Sequence, residues 1–147
     1  MSAHIALIKG DGIGADVCDA TTYLVDLCLR LVGEAPLAIT KIDAGAAYFQ
    51  ETGADIEAGG EDTAGKCDAI FLGAIGLPSI RHPNGTEISP HLRLRERFQL
   101  YAGVRPVKAY PNIPQKLADP RAANIDFIVI RESTEGLFHS AAVHNRS

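Results

Sequence analysis

His4-Ile5-Ala6-Leu7-Ile8-Lys9-Gly10-Asp11-Gly12-Ile13-Gly14-Ala15 is the stretch that decides the fold. Its first half alternates little and is rich in isoleucine and leucine, the pattern of a strand buried on both faces, and the glycine cluster ends it. Gly10, Gly12 and Ala15, with a strand before and a helix after, satisfy the loose dinucleotide pattern of glycine, any, glycine, any, any, glycine or alanine. Such glycines let backbone amides approach a phosphate at a helix start. The acid that would close the second strand is Asp43, farther along than the usual spacing of about 20 residues. Two readings therefore stand side by side: a tight strand-to-helix turn, or a direct nucleotide contact.

Downstream, Val17, Ala20, Leu24, Leu27, Cys28 and Leu31 recur at steps of three and four, which predicts a helix that Gly33 and Pro36 stop. Leu37 to Asp43 reads as a second strand, Ala44 to Thr52 and Glu57 to Lys66 as short helices parted by Gly53, and Asp68 to Leu72 as a third strand. Strand and helix alternate, which implies an α/β class with parallel pairing and ligands at the carboxyl ends of the strands. Gly73 to Ser89 is expected to be an active-site loop, long and without regular structure. A helix starting at or just after Ser89 turns Leu94, Phe98 and Tyr101 inward. A strand through Val104 to Val107, a proline-marked linker from Pro111 to Pro120 and a last strand from Phe127 to Ile130 follow.

A chain of 147 residues, 46% hydrophobic, suits one domain or a fragment. The net charge of -4 argues against a nucleic-acid partner, which would need a basic face. No apolar run approaches the roughly 20 residues that cross a bilayer, so no membrane partner and a cytoplasmic location are expected. Cys18 and Cys28 fall on one helix, about 15 Å apart along its axis and beyond disulfide reach. With Cys67 isolated, all three are expected as buried thiols.

Arg95 is expected on a helix, and Arg105 and Arg131 each at the end of a strand. A guanidinium fork matches a carboxylate in two-pronged fashion, so arginines at the mouths of three elements suit a small substrate with several carboxylates. Arg93 and Arg97, one turn apart on the same helix, read as solvated surface residues.

The string Ile8 to Gly14, the segment from Leu94-Arg95 to Val104-Arg105-Pro106, and Val129-Ile130-Arg131-Glu132-Ser133-Thr134-Glu135-Gly136 together resemble the β-decarboxylating dehydrogenases: isocitrate, 3-isopropylmalate and tartrate dehydrogenases. The likeness runs in order over essentially the whole chain. It implies an isocitrate/isopropylmalate-dehydrogenase-like α/β fold, truncated, with a parallel-rich sheet flanked by helices. Residues 1–103 would be the amino-terminal part of the first, cofactor-side domain and 104–147 the incomplete start of the second. The implied activity is oxidative decarboxylation of a 2-hydroxy di- or tricarboxylic acid with NAD or NADP and Mg2+ or Mn2+.

By position, the resemblance gives Arg95, Arg105 and Arg131 to the substrate carboxylates. Ser89, six places before the first arginine, would be a further substrate contact, and Ile13 and Glu87 would lie beside the cofactor. Where the family usually has a proton-donating tyrosine this chain has Phe138, which has no proton to give, with His139 next to it. The family's lysine, metal-binding aspartates and adenosine loop come later than residue 147. The chain is accordingly expected to carry no metal ligand, to be inactive alone and to belong to a homodimer in its complete form. The alternative is a non-catalytic binding or regulatory partner of a full-length subunit.

Overall fold

The computed structural model describes residues 2–133. The chain divides into two compact units, one up to Leu94 and one from Arg95 on.

In the first unit β1 (His4–Gly10) is the central strand of a parallel sheet ordered β2-β1-β3, with β2 (Ala38–Lys41) and β3 (Ala69–Ala74). Leu7 stands opposite Lys41 on one side and Phe71 on the other. Ala6, Leu7 and Ile8 are buried in succession, as the unbroken apolar run of β1 requires of a strand covered on both faces. Parallel neighbours need crossovers. Helix α1 (Gly14–Leu31) carries the chain from β1 to β2, and α2 (Ala46–Thr52) and α3 (Gly60–Gly65) carry it from β2 to β3. The two connections thus end at opposite edges of the sheet.

The stripe that predicts α1 does not face the sheet. Val17, Leu24, Leu27 and Leu31 are exposed, whereas Gly14 and Cys18 are buried and Thr21, Thr22, Val25 and Leu29 are partly covered or border the sheet side. The small residues win the inner face because they let the helix approach: a Cβ on Gly14 would come 2.2 Å from the Lys9 carbonyl oxygen, and one on Gly73 would come 2.9 Å from Cys18 Sγ. The thiols differ accordingly. Cys18 is buried, Cys67 partly covered, and Cys28 is exposed, against the expectation of three buried thiols, because it lies on the outer side of α1. Burial pushes the Cys18 thiol up, with Lys9 lowering it and Asp19 raising it by smaller amounts. Since the thiolate is the nucleophile, iodoacetamide should alkylate Cys28 first and Cys18 only on unfolding, with mass-mapped peptides as the check.

Helix α4 (Pro90–Arg97) follows, with Leu94 buried and Phe98 partly covered. Tyr101, expected inward, is 66% exposed. Gln99 takes a left-handed φ of 52° and the Leu100 amide bonds the Arg95 carbonyl, so the chain has left the helical path before Tyr101.

In the second unit β4 (Ala102–Lys108) and β5 (Asp126–Glu132) form an antiparallel ribbon, not a parallel pair. Residues 109–125 between them contain only a single 3-10 turn, Pro120–Asn124, and a parallel return needs a crossover longer than that. Ser133 N–H donates to the Tyr101 carbonyl and Ala109 N–H to that of Ile125. The odd-numbered residues of β4 are therefore the hydrogen-bonded ones, and the missing N–H of Pro106 falls on the outer edge, where the ladder does not need it. No helix among the described residues is long and apolar enough to cross a membrane.

Candidate functional site

Open α/β sheets hold ligands where the connections diverge, here at the carboxyl ends of β1 and β3. Protein atoms fill that crevice. Asp11 N–H donates to the Ala74 carbonyl at 2.6 Å, and the Asp11 side chain, 3% exposed, turns into the crevice. Its Oδ2 accepts from the amides of Ala46 at 2.9 Å and Gly76 at 2.6 Å, and its Oδ1 from Ala47 at 2.8 Å. One carboxylate thus joins the β1 turn, the start of α2 and the segment after β3. Gly45 adopts a φ of 125°, and a Cβ there would sit 2.7 Å from both carboxylate oxygens. Asp16 in the first turn of α1 adds a negative charge where a phosphate would have to bind. Of the two readings of the glycine pattern, the tight turn is the one this geometry supports.

Ile13 stands at the N-cap of α1 with its side chain 67% exposed, able to meet a flat ring but not an anion. The loop expected over Gly73 to Ser89 gives its first two residues to β3, and the rest is more ordered than its composition suggests. Arg81 and Glu87 form an antiparallel bridge, His82 N–H donates to the Thr86 carbonyl, and Gly85 N–H to that of His82. Arg81 also reaches the Glu87 carboxylate at 3.1 Å and the Gly85 carbonyl at 3.2 Å. Glu87 is therefore held by an arginine that sequence reasoning passes over. Ser89 immediately precedes α4 and is partly covered, its carbonyl accepting from Leu92 N–H at 3.0 Å.

Arg93 is no solvated bystander. Its guanidinium grips Asp55 in two-pronged fashion at 2.9 and 3.0 Å and also bonds Glu61, and those hydrogen bonds raise its pKa against the opposing effect of burial. Partners 38 and 32 positions upstream leave no signal in the local pattern.

The ribbon brings together two of the three expected arginines. Arg105 stands opposite Val129 and Arg131 opposite Gly103, so the arginines share one face at diagonal positions, with Cα atoms about 7–8 Å apart. Gly103 keeps that space open: a Cβ there would come 3.2 Å from the Arg131 carbonyl oxygen. Arg95 lies at the end of α4, outside the ribbon's register, its carbonyl accepting from Leu100. Phe138 and His139 lie outside the described residues. Among the described residues no three His, Cys, Asp or Glu side chains gather where they could hold a metal ion, so these residues do not fit a metal centre by themselves.

The architecture is that of an α/β protein whose first strand ends in a glycine turn and whose later strands carry arginines on one face. The family model for isocitrate/isopropylmalate dehydrogenase matches residues 4–146, and the chain belongs to that family. It is 32% identical over 143 residues to a probable tartrate dehydrogenase/decarboxylase of Agrobacterium vitis, covering 95% of this chain and 39% of that relative. It is 38% identical over 137 residues to the 3-isopropylmalate dehydrogenase of Saccharopolyspora erythraea, covering 90% of this chain and 36% of the relative. The isocitrate dehydrogenase of Methylococcus capsulatus superposes with a TM-score of 0.70 at 26% identity, covering 95% of this chain and 37% of that structure. The chain thus spans under two fifths of the length of each.

Proposed function

We infer that this chain forms the substrate-gripping amino-terminal part of a β-decarboxylating dehydrogenase. The reaction is metal-dependent oxidation and decarboxylation of a 2-hydroxy acid bearing a second carboxylate, of the isocitrate, 3-isopropylmalate or tartrate type, with NAD or NADP as hydride acceptor. The observation that carries this is the shared face of Arg105 and Arg131 within a chain that matches the family over residues 4–146. Two guanidinium forks side by side suit two carboxylate oxygens of one small anion. In this reading Arg95 and Ser89 complete the substrate contacts, and Ile13 and the tethered Glu87 border the cofactor. Residues 1–103 begin the cofactor-side domain and 104–147 the second, and the complete protein is a cytoplasmic homodimer. The described residues do not gather ligands for the metal of that reaction, which would serve to polarise the substrate's oxygen.

Calorimetric titration of the chain with isocitrate, 3-isopropylmalate, malate and tartrate tests this. At least one should bind, and Arg131→Lys should weaken that binding by about 10- to 100-fold, the loss of one charge-assisted hydrogen bond and of the planar fork. Failure of all four acids to bind, or equal affinity in the lysine variant, would remove the reading.

A further inference from the structure

A cleft of about 330 Å³ opens in the first unit at the carboxyl ends of β1 and β2. Leu7 and Ile42, both buried, form its floor. Lys41, Asp43, Tyr48 and Glu51 line it above, and none of these four side chains has an ion pair or hydrogen bond to another described residue. Lys9 also lines it, but its ammonium is held by Asp19 at 2.6 Å. The size falls at the lower end of small-molecule pockets, about 300–1,000 Å³.

The groups around the cleft select among ligands. Asp43 and Glu51 repel a polycarboxylate but accept hydrogen bonds from neutral hydroxyls. Lys41 supplies a cation for a single anionic group, and the partly covered Tyr48 supplies a ring on which a flat heterocycle can stack. Asp43 lies just past β2, where an acid meets ribose hydroxyls in strand-helix-strand nucleotide sites. Its long spacing from the glycine turn follows from the 18 residues of α1. Because Asp11 and Asp16 make that turn unsuitable for phosphate, the anionic group falls to Lys41.

The geometry points to this cleft as a second ligand site, taking a small ribose-bearing anion of the size of a nucleoside monophosphate: Asp43 and Glu51 receive the diol, Lys41 the phosphate, and Tyr48 the base. It is independent of the dehydrogenase reading. The test titrates the 147-residue chain by calorimetry with AMP, ribose 5-phosphate and inorganic phosphate. AMP and ribose 5-phosphate should each bind at one site, with inorganic phosphate about tenfold weaker or more. Asp43→Asn and Lys41→Gln, both at exposed positions and checked for unchanged melting, should each weaken AMP by about tenfold, the size of one charge-assisted hydrogen bond. Arg131→Lys should leave AMP binding as it is, which separates this site from the carboxylate face. Absence of saturable AMP binding, phosphate binding as tight as ribose 5-phosphate, indifference to both cleft variants, or loss of AMP in Arg131→Lys would each overturn the proposal.

Discussion

Asp11→Ala should unfold the first unit or leave it about 4 kcal/mol less stable, read as a shift of the urea midpoint. The side chain is 3% exposed and accepts from three backbone amides, those of Ala46, Ala47 and Gly76. Alanine leaves these donors without an acceptor, at about 1–3 kcal/mol for each that water cannot reach, against a total stability of about 5–15 kcal/mol for an ordinary domain. Asp11→Asn would be little better. An amide offers one acceptor oxygen where the carboxylate offers two, and its NH2 group would meet a backbone N–H head on. A midpoint shift worth less than about 1 kcal/mol in the alanine variant would show that the carboxylate is not the joint described above.

Gly10→Ala should be comparably severe, while Gly12→Ala is mild. Both glycines have positive φ, 72° and 52°, and share the cost of a left-handed alanine, about 1–2 kcal/mol. They differ in surroundings. A Cβ on Gly10 would come 2.0 Å from the Ala74 carbonyl oxygen and 2.9 Å from its carbon, whereas one on Gly12 meets nothing within 4 Å. Backbone cannot yield as a side-chain tip can, so the only relief is to part β1 from β3 at the end of their pairing. We expect the Gly10 variant to lose at least about 2 kcal/mol more than the Gly12 variant in denaturant titrations. Equal losses would mean that the crevice is looser than its geometry implies.

Much of the architecture is legible in the residues. The apolar run before Gly10 marks the central strand, and the order of elements in the first unit gives the parallel sheet. What misleads on α1 is that apolar residues occur on more than one side of it. Periodicity finds the stripe of Val17, Leu24 and Leu31, but contact with the sheet is decided by Gly14 and Cys18, whose value is their smallness and not their hydrophobicity. The antiparallel ribbon is readable in principle, because residues 109–125 show no helical pattern long enough for a crossover. Arg105 and Arg131 are legible as types, and their common face follows only from the register. Asp11 escapes notice because an acid between two glycines looks like ordinary turn composition. The hold of Arg81 on Glu87 depends on a loop bending back on itself, which proline and glycine content announces only as irregular.

Pro106 has a consequence for how the ribbon can grow. Along β4 the outward row of amide donors is interrupted half way, at a residue that stands opposite Ile128 across the ribbon. An incoming strand on that margin would find one donor missing from its ladder. The β4 edge is thereby guarded by an imino acid whose nitrogen the existing pairing does not call on for a donor.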